Sequence, residues 1–233
     1  MTSSESGNAD PVELAHRIAA LERPVLVVFD CDGVLVDSEP LADEIWHRVL
    51  AGYGYETSVE DAQGIRGTSE ETTFEYYAER VDLPPFDTFM AKIDAIRIPV
   101  YEERLVAFDD AVATVRSLAA QGTTMAVASS SRRHALEGKL ALTGLDRYFE
   151  VIVGGDEVAH GKPAPDVYLE AARRLGVPPT DCVAIEDADL GAESAAAAGM
   201  RVVMILRNGS ISLEYASVTE ITADVVNSWL WRF

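Results

Sequence analysis

Positive charge is scarce in this chain. It has 19 lysines and arginines against 39 aspartates and glutamates, a formal net charge of −20 at pH 7, and only three lysines: Lys92, Lys139 and Lys162. A surface this acidic lacks the clustered cations that a nucleic-acid backbone needs, which excludes that class of partner. An anionic small molecule would need local help against the overall field, from a metal, a lysine or helix N-termini. Cysteine is scarcer still. Cys31 and Cys182 are the only two, and neither has metal-site spacing. A disulfide framework is therefore not expected, both thiols read as small buried apolar groups, and a reducing cytoplasm is the expected compartment. No apolar run approaches the ~20 residues of a membrane helix, so no membrane partner is expected. Met1 to Asp10 is polar and has no signal-peptide apolar region; it is expected to be a disordered lead-in.

What is present is ample apolar material. Hydrophobic residues make up 48% of 233 positions, enough for one core domain with a smaller one inserted. Pro11 to Leu21 reads as a short helix with Asp10 as its N-cap. The chain is then organised around Val25 to Asp37. Val25 to Phe29 is apolar and rich in β-branched residues, the pattern of a strand buried on both faces. Asp30 and Asp32 follow abruptly, and then Gly33. Two carboxylates this close repel unless a cation lies between them or one is protonated. The carboxyl end of a parallel strand is also where open α/β sheets bind ligands. Taken alone, Asp-x-Asp-Gly also fits a solvated turn.

The wider context favours chemistry. Phe29 to Glu39 closely resembles the first motif of the haloacid dehalogenase superfamily, whose members are mostly magnesium-dependent phosphatases with an aspartate nucleophile. Three later segments resemble the remaining motifs in order: Ser129-Ser130 after the strand Thr123 to Ala128; Gly161-Lys162-Pro163; and Glu186-Asp187 after the strand Cys182 to Ile185. The resemblance implies that Asp30 attacks phosphorus and that Asp32 serves as acid and then base. Mg2+ would be held by Asp30, the Asp32 carbonyl and Asp187, with Glu186 ligating through water or supporting the ligands around it. Phosphate oxygens would be held by Ser129, the Ser130 N–H and Lys162. Relatives often carry serine where this chain has Ala188. Asp166 is expected to cap the helix that runs to Leu175.

Asp37 to Asp110 interrupts the strand–helix alternation. Leu41, Ile45, Val49 and Leu50 carry a helical period ended by Gly52; Thr73, Phe74, Tyr77 and Val81 suggest a second apolar face, and Phe89 to Leu105 a third helix, kinked at Pro99. The resemblance makes this a cap that closes over the substrate, with Gly64 to Glu71 as a specificity loop and Arg66 and Gly67 as substrate contacts. Thr68 or Ser69 is expected to cap the next helix. Arg201 to Leu206 reads as a further strand, and Ile211 to Phe233 is expected to finish the sheet and add a terminal helix.

The expected fold is α/β: a doubly wound, Rossmann-like parallel sheet over 1–36 and 110–233, with an inserted α-helical cap over 37–109. The expected function is a cytoplasmic Mg2+-dependent phosphatase acting on a small phosphorylated metabolite, a sugar or polyol phosphate, with its oligomeric state undetermined. The alternatives are a sugar phosphomutase similar to β-phosphoglucomutase and a catalytically silent binding relative. The mutase's cap histidine falls at Ala42 and its cap arginine at Glu70, and both departures favour hydrolysis.

Overall fold

The computed structural model describes residues 26–206 and the pair Trp231–Arg232. Six parallel strands form one sheet in the order β3-β2-β1-β4-β5-β6. They are β1 (Leu26–Phe29), β2 (Thr124–Ala128), β3 (Val151–Val153), β4 (Cys182–Glu186), β5 (Arg201–Leu206) and β6 (Trp231–Arg232). β1 is central and wholly buried, as its unbroken apolar run requires. Side chains on a strand alternate faces. Val27 and Phe29 therefore pack on one side with Val115 and Leu118 of α5 (Asp109–Ala120) and Leu136 and Leu140 of α6 (Arg133–Thr143). Leu26 and Val28 pack on the other side with Val167 and Tyr168 of α7 (Asp166–Leu175) and Ala195 of α8 (Asp189–Ala197). Helices on both faces make the sheet doubly wound. β2 and β3 lie to one side of β1 and β4 to β6 to the other, so the crevice at its carboxyl end is a topological switch point.

Between β1 and α5 lie four more helices: α1 (Glu39–Ala51), α2 (Val59–Ile65), α3 (Glu70–Ala78) and α4 (Phe86–Arg104). They carry their own apolar cluster, with Ile45, Trp46, Tyr77, Phe89 and Ile93 at its centre. The Trp46 ring stacks on Tyr77 at 5.7 Å between centroids and meets Phe89 at 5.4 Å. The chain enters and leaves this insertion along two adjacent segments. Asp37 N–H donates to the Val106 carbonyl (3.0 Å), Phe108 N–H donates to that of Leu35 (3.1 Å), and Val36 bridges Ala107 in antiparallel fashion.

The structure refines several local readings and corrects one. α4 runs for 19 residues with Pro99 inside it. α2 was not anticipated; it is short and largely polar, and rests on a capping box in which Ser58 and Asp61 satisfy each other's backbone N–H groups. Ser69 caps α3 by accepting from the Thr72 N–H (3.2 Å), while the Thr68 hydroxyl donates backwards to the Ile65 carbonyl (2.6 Å). Asp166 is not an N-cap: Pro165 holds that position, and the Asp166 carboxylate instead accepts the His160 N–H at 3.2 Å. The expected helix over Pro11 to Leu21, the lead-in before it and the terminal helix beyond Ile211 lie outside the described residues.

Candidate active site

The carboxyl ends of β1, β2 and β4 converge. Asp30 N–H donates to the Ile185 carbonyl at 2.9 Å, which carries the sheet ladder one residue past β1 and pins Asp30 beside β4. The chain then turns sharply, with Leu35 and Val36 N–H groups both donating to the Cys31 carbonyl (2.8 and 3.1 Å). Gly33 sits in the turn at φ +77°, and a Cβ there would collide with the Asp187 carboxylate. Glycine is needed at this position for backbone angle and for space. On α8, a Cβ at Gly191 would likewise strike the carboxylate of Glu186.

The cleared space holds three acids. Ligand oxygens of Asp30, Glu186 and Asp187 lie within 4.8 Å of one another. Lys162 Nζ reaches between two of them, 2.7 Å from Asp30 Oδ1 and 2.5 Å from Glu186 Oε1, and the Tyr168 hydroxyl donates to Glu186 Oε1 at 2.6 Å. One lysine does not balance three carboxylates. Burial, with Glu186 and Asp32 nearby, lifts Asp30 to about 8 against the pull of Lys162. Burial and the charges of Asp30 and Glu186 lift Asp187 to about 9. Burial works against the charge on Lys162, but its two carboxylates hold it well above the ordinary lysine value, so it stays an ammonium ion. An uncompensated, all-oxygen donor set of this kind suits a hard divalent cation such as Mg2+, which would take the place of the retained protons.

Asp32 lies in different surroundings. Its Oδ1 takes the Ser38 hydroxyl and, at 2.5 Å, Lys139 Nζ; its Oδ2 takes the Ser131 hydroxyl at 2.8 Å and that of Ser129 at 3.5 Å. Burial alone would raise this carboxyl, but Lys139 and the Ser38 and Ser131 hydroxyls outweigh it and bring it down to about 2.

Ser129 is buried, and its hydroxyl accepts the Ser131 N–H (3.1 Å). Ser130 hydroxyl donates to the Gly67 carbonyl (3.2 Å), so the serine loop touches the loop of the helical insertion directly. Arg66 lines the same cavity, half exposed, with Nε 3.2 Å from Glu39. The cavity measures about 450 Å³, and its walls run from Asp30, Asp32, Lys162 and Asp187 to Ala42, His47 and Thr57 of the insertion. Glu70, also on its wall, is bound by the buried Arg97, which holds Asp94 as well. The sequence-assigned residues thus share one cavity, with Arg66 and Gly67 on its insertion side.

Residues 25–199 match the family model described as haloacid dehalogenase-like hydrolase. The chain belongs to that family. Among curated relatives, it is 36% identical over 186 residues to the fructose-1-phosphate phosphatase YqaB of Escherichia coli (strain K12), covering 78% of this chain and 96% of that one. It is 32% identical over 206 residues to a phosphorylated carbohydrates phosphatase of Thermotoga maritima, covering 86% and 95%. Among solved structures, a haloacid dehalogenase family hydrolase of Deinococcus radiodurans R1, with bound phosphate and sodium, superposes with a TM-score of 0.61 at 34% identity, over 80% of this chain and 82% of that one. No described helix of this haloacid dehalogenase-like hydrolase is long and apolar enough to cross a membrane.

Sequence reasoning missed three residues of this hydrolase's cavity: Ser38, Ser131 and Lys139. A signal for Lys139 was available. It lies three residues after Leu136 and one before Leu140, on the apolar stripe of α6, where all three are buried. A lysine on the core face of a helix needs a partner, because an unpaired buried charge is prohibitive. Ser38 and Ser131 carried no such signal, since both sit in loops where serine is common.

Proposed function

We propose that this chain is a Mg2+-dependent phosphatase of phosphorylated sugars or polyols that works through an aspartyl phosphate on Asp30. It is a phosphoric monoester hydrolase of its family. The observation that carries the reading is the convergence of Asp30, Asp187, Glu186 and Lys162 on one side of a cavity and of Asp32 with its serine loop on the other.

Asp30 attacks phosphorus as its carboxylate, and the bond to the leaving oxygen breaks. Asp32, ionised in the resting site, takes up the proton of the phosphate monoester monoanion and passes it to that oxygen, then takes one from the water that hydrolyses the acyl phosphate. Ser129, the Ser130 N–H and Lys162 hold the phosphoryl oxygens. Asp30, Asp187, Glu186 and the Asp32 carbonyl would hold Mg2+, which when bound supplies the charge neutralisation that phosphoryl transfer needs. The helices from Glu39 to Arg104 act as a cap that excludes bulk water.

The substrate is a monophosphate with an uncharged, hydroxyl-bearing far end. Both arginines that the cap brings to the cavity are engaged, Arg66 with Glu39 and Arg97 with Glu70 and Asp94, so among the described residues no spare arginine awaits a second phosphate. The relatives named for fructose 1-phosphate and for phosphorylated carbohydrates point the same way. A screen of phosphorylated sugars and polyols, with and without magnesium, tests the reading. Phosphate release from several such monoesters, abolished by chelation, is expected. β-Glucose 1-phosphate with a trace of the 1,6-bisphosphate should give free phosphate; stoichiometric conversion to glucose 6-phosphate would instead establish the mutase.

A further inference from the structure

We propose that Lys139 is a positioning residue: it fixes the carboxylate of Asp32 in the orientation from which the proton is delivered to the leaving oxygen. The inference rests on the role given to Asp32 above.

The geometry is specific. Lys139 projects from the core face of α6 with 4% of its surface exposed, and its ammonium lies 2.5 Å from Asp32 Oδ1 and 2.9 Å from the Ser131 hydroxyl. Ser131 in turn donates to Asp32 Oδ2, so the lysine and the serine grip both oxygens of one carboxylate and each other. The remaining wall is the ring of Tyr101, from α4, with its centroid 5.9 Å from Nζ. A leucine or methionine would fill this space without the desolvation of a charge. Lys162, not Lys139, serves the carboxylates that face the phosphoryl group. What the Lys139 charge touches is Asp32, and the carboxylate is then held by ammonium and hydroxyl donors that leave it one orientation. Proton transfer to a leaving group is sensitive to displacements of about 1 Å, so such a grip bears on rate.

The step at issue is cleavage of the ester bond: the Asp30 oxygen bonds to phosphorus, the P–O bond to the leaving group breaks, and the proton carried in by the phosphate monoester monoanion is relayed through the Asp32 carboxylate to the departing oxygen. An alkoxide leaving group needs that proton, whereas p-nitrophenolate does not. The test compares wild type, Lys139→Met and Lys139→Arg on p-nitrophenyl phosphate and on β-glycerol phosphate with saturating magnesium. The readout is kcat/KM, which reports the steps up to formation of the acyl phosphate. For Lys139→Met, a loss of about 10²-fold or more on the alkyl ester and less than about 10-fold on the aryl ester is expected. Lys139→Arg should recover part of the alkyl activity. Equal losses on both esters, or no loss on either, would overturn the proposal. A second arm does not depend on turnover. Crystal structures of Lys139→Met and Lys139→Arg should show the Asp32 carboxylate rotated away from Ser131 in the first and retained in the second. An unmoved Asp32 in Lys139→Met would overturn the proposal even if wild type hydrolysed neither ester, an outcome that would by itself count against the phosphatase reading.

Discussion

Asp30 and Asp32 leave β1 two residues apart, yet their carboxyl groups are driven to opposite sides of the ordinary range, up to about 8 and down to about 2. Burial acts on both in the same direction. What separates them is company. Asp30 shares Lys162 with Glu186 and faces further acids, whereas Asp32 meets Lys139 and three serine hydroxyls. A bound divalent cation would displace the proton that Asp30 retains and leave it a carboxylate, whereas Asp32 is already ionised and ready to take up and pass on a proton.

Asp30→Asn should abolish turnover, by about 10⁴-fold or more, because an amide cannot attack phosphorus. The fold should survive, since the metal-free site already holds Asp30 protonated at neutral pH and an amide has nearly the same shape. Circular dichroism and thermal unfolding check the second point, and phosphate release checks the first. A folded variant with near-normal turnover would remove Asp30 as nucleophile.

Magnesium should stabilise the protein more at pH 8 than at pH 6. Asp30 and Asp187 have folded values raised to about 8 and about 9, well above the ~4 of an unfolded carboxyl. Between those limits the metal-free fold keeps protons that the unfolded chain has lost, so its stability falls as pH rises through that window. The metal replaces those protons and competes with them less at pH 8. At a hundredfold excess over Kd the gain is about 2.7 kcal/mol, or roughly 5 to 10 °C in Tm. Identical unfolding curves at pH 8 with chelator and with magnesium would remove the metal assignment.

Gly33→Ala should weaken magnesium binding sharply and lower stability. The left-handed backbone adds about 1–2 kcal/mol of strain, and the new methyl collides with the Asp187 carboxylate. A magnesium titration of activity is the direct check; an unshifted midpoint would mean that Asp187 does not bind metal from this position.

Arg97→Met should destabilise by about 3–5 kcal/mol, because Glu70 and Asp94 lose the buried cation that holds both. Replacing Glu70 by leucine in the same chain should restore much of that loss. Denaturant unfolding of the single and double variants measures both. A single-variant loss below about 1 kcal/mol would place the pair among solvated ion pairs.

The core strands and the main acidic cluster were legible because few physical reasons place acids at the end of a β-branched run. Asp30, Asp32, Glu186 and Asp187 all announce themselves in this way, and the parallel sheet then brings them together. Lys139 was harder to read. It contacts Asp32 across 107 positions of chain, and only its place between Leu136 and Leu140 betrays it. The insertion was legible as helices but not in detail. Its contacts are long-range pairings such as Arg97 with Glu70, 27 residues apart, and no local period encodes these.

The paired segments at Val36 and Ala107 have a consequence for how such a chain can change. Entrance and exit of the helical excursion already lie side by side, so the sheet does not rely on that excursion to bring β1 and β2 into register. Loop length adds little once two ends are held together. The excursion can therefore be exchanged as a cassette, trading one recognition surface for another while the chemistry at the strand ends stays as it is.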